Sequence, residues 1–230
     1  MNRFQTTRWG LIATAASDAP AQARPALDAL CRAYRPPVLA YVCRCGYSTA
    51  DAEDLVQAFF LRFLERAWYA RAAPQRGRFR NLVLVSLRRF LADEHARKTA
   101  LRNGGQRCGS EAMEELAWHG ETPEQAFDRA WMGTLLARAL ARLQEEWWSA
   151  GKQLQFSRLA PLLADAPTSG ELQAIASELG VARNALAVQL HRMRARLRQL
   201  ARLELLQTVN SREALEEELR ELRSALAEEP

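Results

Sequence analysis

The sequence predicts an all-α protein, with two small helical domains joined by a flexible linker and followed by an acidic C-terminal helix. Three observations carry that expectation. Apolar residues recur at helical spacing along most of the chain, period-two alternation is scarce, and the helix formers Ala, Leu, Arg and Glu dominate. Helix start signals of the capping-box type, Thr122 with Gln125 and Thr168 with Glu171, stand just before two of the apolar stripes. Charge also alternates in blocks: counting Lys+Arg against Asp+Glu, residues 1–108 hold 18 and 8, 109–150 hold 3 and 8, 151–208 hold 8 and 4, and 209–230 hold 3 and 7. Two basic blocks set apart by acidic ones point to two modules that bind a polyanion, an acidic linker and an acidic tail.

A chain of 230 residues with 48% hydrophobic and 26% charged residues can bury one or two modest cores and is not of disordered composition. No apolar run approaches the ~20 residues needed to cross a bilayer, and the N-terminus lacks a signal-peptide pattern. A cytoplasmic protein with no membrane partner is therefore expected. Cys31, Cys43, Cys45 and Cys108 form neither CxxC pairs nor a zinc spacing with histidine. They read as reduced, mostly buried thiols, and no metal or cofactor is expected.

Residues 1–23 form an N-terminal extension in which Thr6 or Thr7 can cap a helix and Trp9 can anchor it. A helix over about 24–46 follows, interrupted or kinked at Pro36-Pro37. Ser48 and Thr49 cap a second helix through Arg66, with Asp51, Glu53 and Asp54 in its first turn, where the helix dipole favours anions. That helix buries Leu55, Val56, Phe59, Phe60 and Phe63 and turns Asp54, Gln57, Ala58, Leu61 and Glu65 outward. A leucine among hydrogen-bonding side chains suits a protein–protein contact. A loop from Tyr69 to Gly77 then brings Trp68, Tyr69, Arg76, Arg78, Phe79 and Arg80 together, the aromatic and guanidinium groups that stacking on unpaired bases requires. The third helix, from Phe79 to about Lys98, buries Leu82, Val83, Leu87, Phe90 and Leu91 and is expected to display Arg80, Arg88, Arg89, Arg97 and Lys98.

Gly104, Gly105 and Gly109 mark a break that opens the linker, residues 101–121. The helix that starts at the Thr122 box, with Pro123 at its first position, carries Phe127, Trp131, Leu135, Leu140, Leu143 and Trp147 and is expected to floor the second domain. Above it, Glu171 to Leu197 reads as a helix-turn-helix. Ile175, Leu179, Leu186, Leu190, Met193 and Leu197 face inward, Ala176 is small where the helices cross, and Gly180 supplies the left-handed turn. The outer face of the second helix holds Asn184, Ala187, Val188, His191, Arg192 and Ala195, placed to enter a major groove. Ala182 stands where a Ser or Thr cap is usual, which forgoes about 1 kcal/mol. After Thr208, Leu215, Leu219, Leu222 and Leu226 make an apolar seam in an acidic helix.

These separated features resemble bacterial RNA polymerase sigma factors of the extracytoplasmic-function (ECF) type. The resemblance rests on Ala52-Glu53-Asp54-Leu55-Val56-Gln57 with Phe60, on Phe79-Arg80 with Leu82-Val83, and on the C-terminal helix-turn-helix with Leu190-His191-Arg192. Thr6-Thr7-Arg8-Trp9 and Gly77-Arg78-Phe79-Arg80 are typical of one subgroup. The similarity implies that residues 24–100 form region two and residues 122–206 form region four; the acidic helical tail over 207–230 is an addition to that two-domain plan. It implies core RNA polymerase, promoter DNA and an anti-sigma or other regulatory protein as partners. It places core-polymerase binding on Asp54, Gln57 and Leu61, and minus-ten recognition on Tyr69, Arg76, Arg78, Arg80, Asn81, Arg88 and Arg89. Minus-thirty-five recognition falls on Arg183, Asn184, Ala187, Val188, His191 and Arg192. Arg89 stands where many members have Asn, and Gln189 where many have Arg, so the promoter sequence does not carry over.

A stand-alone helix-turn-helix regulator would employ only residues 151–208 and leave the Asp54-Gln57-Leu61 face unemployed. A nuclease would need Asp51, Glu53 and Asp54 to converge on a metal, but on a helix they point apart; the reading is binding rather than catalysis. The acidic tail is expected to regulate by covering a basic surface or recruiting a partner. Deletion of residues 209–230 is accordingly expected to change promoter binding or transcription in a reconstituted assay, and unchanged values would remove that role.

Overall fold

The computed structural model describes residues 20–72, 78–102, 121–165 and 167–206, with the single positions Ile12, Thr14, Ala15, Glu216 and Arg220. The described residues are all-helical, with no strand. Seven α-helices follow in order: α1 Pro20–Arg44, α2 Thr49–Glu65, α3 Phe79–Arg102, α4 Pro123–Ser149, α5 Gln153–Leu159, α6 Ser169–Glu178 and α7 Arg183–Leu206. Short 3-10 turns stand at Trp68–Arg71 and Ala160–Leu163. The expected N-terminal cap with Trp9, the break at Gly104-Gly105-Gly109, Cys108 and the leucine seam of the tail lie outside the described residues.

Packing divides the chain into two compact units, Met1–Thr134 with Leu206–Pro230, and Leu135–Leu205. In the first, α1 contributes Leu30, Tyr34, Val38 and Val42, α2 contributes Leu55, Val56, Phe59 and Phe63, and α3 contributes Val83, Leu87, Phe90 and Leu91, all buried. Aromatic rings tie the helices together: Phe59 meets Phe90 edge-on at 5.7 Å, and Tyr34 meets Phe79 edge-on at 5.3 Å. Such pairs each add about 0.5–1.5 kcal/mol beyond the area they bury. The interruption expected at Pro36-Pro37 does not occur, since α1 runs through both prolines. The hydrogen bonds that they remove are compensated by burial of Ala33, Tyr34, Val38, Tyr41 and Val42 on either side. Phe60 and Leu82, expected inside, are only half-buried.

The helix α4 departs most from expectation. Its first half belongs to the first unit, where Phe127 and Trp131 are fully buried and Trp131 stacks on Tyr34 with ring centroids 4.6 Å apart. Only the second half, through Ala139, Leu143 and Trp147, floors the second unit. There Phe156, Leu159, Leu172, Ala176, Leu186, Leu190, Met193 and Leu200 close a single core, with Ile175, Leu179 and Leu197 packed at its edge. Trp147 meets Phe156 at 6.2 Å.

The local start and stop signals behave as expected. Ser48 caps α2 by accepting from the Asp51 backbone N–H at 3.2 Å. At α4, Thr122 Oγ1 accepts from the Gln125 N–H (3.1 Å) and Gln125 Oε1 accepts from the Thr122 N–H (2.7 Å). The same reciprocal box joins Thr168 and Glu171 at the start of α6. Gly180, at φ +64°, lets the Gly180 N–H reach the Ser177 carbonyl and the Val181 N–H reach that of Ala176, which satisfies the end of α6. Ala67 adopts a left-handed conformation at φ 47°, a strain of about 1–2 kcal/mol for a residue with a Cβ, and turns the chain sharply from α2 into Trp68 and Tyr69.

Leu186→Ala, which empties the centre of the second core, is expected to cost about 2–5 kcal/mol in urea denaturation, against about 1 kcal/mol for Thr168→Ala at the exposed cap. Equal losses would show that the core of this unit is not centred where the buried residues meet.

Candidate nucleic-acid and protein-binding faces

On α2 the apolar stripe toward the core leaves Asp54, Gln57, Ala58 and Leu61 on the opposite side, and the structure exposes all four, Leu61 at 59%. The three carboxylates of the metal alternative do not converge. Asp51 accepts from Ser48 Oγ at 2.6 Å, Glu53 pairs with Arg35, and Asp54 faces solvent. Among the described residues, no three His, Cys, Asp or Glu side chains cluster to hold a metal ion.

The basic side chains expected on α3 fall into two groups. Asn81, Arg88 and Arg89 are exposed and share one side of the helix with the 45% exposed Val85, which falls there by the same spacing. Arg80 is a correction. It is 6% exposed, and its guanidinium Nη1 donates to Asp128 Oδ1 of α4 at 2.7 Å, so it is not displayed on the surface. A buried arginine needs an anion, and the first turns of α4 supply it. Tyr69 is half-buried and leans on Phe63 at 6.3 Å, beside Trp68, which meets Phe63 edge-on at 6.0 Å. Arg78 is half-buried, and Arg76 lies outside the described residues. Arg97 is exposed, yet it is engaged with Glu94, a buried carboxylate that also receives Arg62 at 3.0 Å. Arg62 in turn lies over the Phe90 ring at 5.0 Å.

In the second unit, Asn184, Ala187, Val188, His191, Arg192 and Ala195 are all exposed on the side of α7 opposite Leu186, Leu190 and Met193, and Arg183 is exposed at the first position of the helix, one turn before Leu186. Val188 is 49% exposed. The structure brings this set together as the spacing expects. Other arginines of the same helix are structural. Arg194 donates to the Leu162 carbonyl at 2.5 Å and to that of Asp165, fastening α7 to the turn before α6. Arg196 forms a two-point ion pair with Glu146 of α4, at 2.9 and 2.5 Å. Gln189 is half-buried rather than outward. Glu204 is buried and neutralised by Arg142 at 2.8 Å. None of these partners could be read from spacing, because each lies tens of residues away.

The described thiols suit a passive role. Cys31, Cys43 and Cys45 are unbonded and half-buried. Burial, reinforced by Asp28, pushes the Cys31 thiol up to about 11, and burial with Glu124 does the same for Cys45, also to about 11. Little thiolate therefore exists at neutral pH. Tyr41 is raised by burial and by Glu124, whose carboxylate accepts its hydroxyl at 3.3 Å. No described helix is long and apolar enough to cross a membrane. No protein-family model, curated protein or solved structure matches the chain.

The hydrogen bond from Arg196 holds the Glu146 carboxyl below its ordinary 4.5. A group whose folded value is lowered lends stability above its unfolded value and loses it as the pH falls through the folded one. Acid denaturation followed by circular dichroism should therefore show a shallower decline below pH 4.5 in Glu146→Gln than in the parent, and superimposable curves would deny the pair a stabilising role.

Proposed function

We propose that this chain is a sigma factor of the ECF type, which joins core RNA polymerase, recognises and helps open promoters, and directs transcription initiation. The observation that carries the reading is the coexistence of two unlike faces in one helical chain. One is an exposed leucine set among Asp54 and Gln57 on α2; the other is the exposed Asn184 to Arg192 face on α7, with Arg183 at the start of that helix. A single DNA-binding module needs only the second.

In this reading Asp54, Gln57 and Leu61 dock on the polymerase. Region two corresponds to 24–100 and region four to 122–206, although the first half of α4 packs with the first unit. Asn81, Arg88 and Arg89, with Tyr69, Arg76 and Arg78 from the loop, engage the minus-ten element, and the α7 face enters the major groove of the minus-thirty-five element. Phosphate neutralisation supplies much of the affinity, and stacking on aromatic rings, worth about 1–3 kcal/mol per base, offsets the cost of unpairing. Val85, apolar and exposed between Asn81 and Arg88, joins this face as a contact for base edges or sugar. The proposed chemistry is binding alone, with no cofactor, in the cytoplasm, and an anti-sigma or other regulatory protein is a further partner.

The self-contained core of the second unit would equally serve a stand-alone helix-turn-helix regulator. Core-polymerase binding separates the two readings. Asp54→Ala with Gln57→Ala is expected to weaken core binding while leaving upstream duplex binding intact. Arg192→Ala is expected to cost about 1–3 kcal/mol in promoter recognition, roughly 5- to 150-fold, with core binding unchanged. Retention of core binding by the double variant, or no core binding by the parent protein, would refute the assignment.

A further inference from the structure

The acidic residues at the start of α4 sit on basic and hydroxyl groups of the first unit. The Glu121 carbonyl accepts from Arg44 Nε, and the Glu124 carboxylate accepts from the Tyr41 hydroxyl and lies 3.8 Å from Arg88. Asp128 holds Arg80 at 2.7 Å. Beneath them Trp131 stacks on Tyr34, which in turn meets Phe79, the neighbour of Arg80. The segment is therefore seated by apolar contact and presents carboxylates to Arg88, which the sigma reading turns toward nucleic acid, and to the buried Arg80 beside it. A carboxylate and a phosphate are interchangeable partners for guanidinium, since both offer paired oxyanion acceptors.

A second observation concerns the helix itself. Gly133 lies inside α4, is exposed, and has open space where a Cβ would stand, so packing does not require glycine there. It falls next to Thr134, where the helix passes from one unit's core to the other's. Glycine is a poor helix former, so α4 is weakest where its two packing environments divide.

We infer that the acidic first turns of α4 act as an intramolecular competitor for DNA, with Glu124 and Asp128 occupying on Arg88 and Arg80 the places of nucleic-acid phosphates, so that these carboxylates must release their arginines for the full minus-ten surface to engage. The inference rests on the sigma reading's assignment of Arg88 to the DNA-facing surface; Arg80, buried against Asp128 here, joins that surface only once the pair opens. Tethering gives the competitor a high effective concentration although its individual ion pairs are weak. The pair of Arg88 with Glu124, long and 61% and 41% exposed, yields first. The pair of Arg80 with Asp128 sits deeper, at 7% and 29%, and holds the closed arrangement.

The test compares the full-length parent with Glu124→Gln/Asp128→Asn for binding a labelled single-stranded oligonucleotide of about 20 nucleotides, by anisotropy over a salt series. The neutralised variant is expected to bind about tenfold more tightly, with a slope of log affinity against log salt steeper by about 1.4, that is ~0.7 for each arginine released. A charge-matched control, Asp93→Asn/Glu145→Gln, which neutralises exposed acids elsewhere, should gain less than about twofold. An equal gain in the control, or none in the test variant, overturns the inference. Should the test variant lose structure in a thermal melt, Arg88→Ala settles the question. Its loss of binding should be about fivefold in the Glu124→Gln background but under twofold in the parent, and equal losses overturn the inference. A pull-down on core polymerase, run alongside, distinguishes the two ideas. Core binding without any unmasking leaves the sigma reading and ends this one, whereas unmasking without core binding removes the sigma assignment alone.

Discussion

A single helix of 27 residues has to bury its apolar stripe in two different cores, and much of the architecture follows from that constraint. Phe127 and Trp131 insert among Tyr34 and its neighbours, while Ala139, Leu143 and Trp147 complete the core of the second unit. Each buried aromatic or leucine of this kind is worth about 1.5–3 kcal/mol relative to exposure. Neither half could be exchanged for polar residues without opening the unit it serves. The same docking carries Glu121, Glu124 and Asp128 onto basic side chains of α1 and α3, and it decides which arginines remain outward.

Positive charge is abundant in this chain, but its surface distribution is narrower than composition suggests. Arg62, Arg80, Arg142, Arg194 and Arg196 are committed to carboxylates or carbonyls of other elements. They neutralise buried Glu94 and Glu204 and fasten turns, since a buried anion or an unsatisfied carbonyl is costly. Arg88 and Arg89 on α3, and Arg192 on α7, stay exposed on the sides of their helices turned away from the cores, and Arg183 is exposed at the start of α7. A polyanion would meet these first. The exposed apolar residues Val85 and Val188 stand inside the two basic faces, which gives each a contact that depends on more than charge.

Much of the candidate site is legible because it is written in local spacing. Asp54, Gln57 and Leu61 share a face by helical geometry alone, and so do Asn184, Ala187, Val188, His191 and Arg192. Arg80 is not legible in that way. Spacing places it three, seven and eleven residues before Val83, Leu87 and Leu91, on the buried stripe, but its charge argues for the surface, and the anion that permits burial, Asp128, is 48 residues away. Arg196 presents the same case, with Glu146 50 residues distant. Val85 is legible by the same rule, four residues after Asn81 and three before Arg88, although its apolar side chain draws attention toward the core.

The sequence by itself determined the helical class, the caps at Ser48, Thr122 and Thr168, the left-handed stop at Gly180 and the inward residues of α6 and α7. All of these depend on hydrogen bonds and contacts three or four residues apart. Tertiary structure alone decided that α4 is shared between two cores, that Pro36-Pro37 leaves α1 unbroken, and that Arg80, Arg194 and Arg196 each meet an oxygen far along the chain. Those outcomes turn on which distant surface removes water from a side chain and which distant oxygen meets its charge, and no local pattern records either.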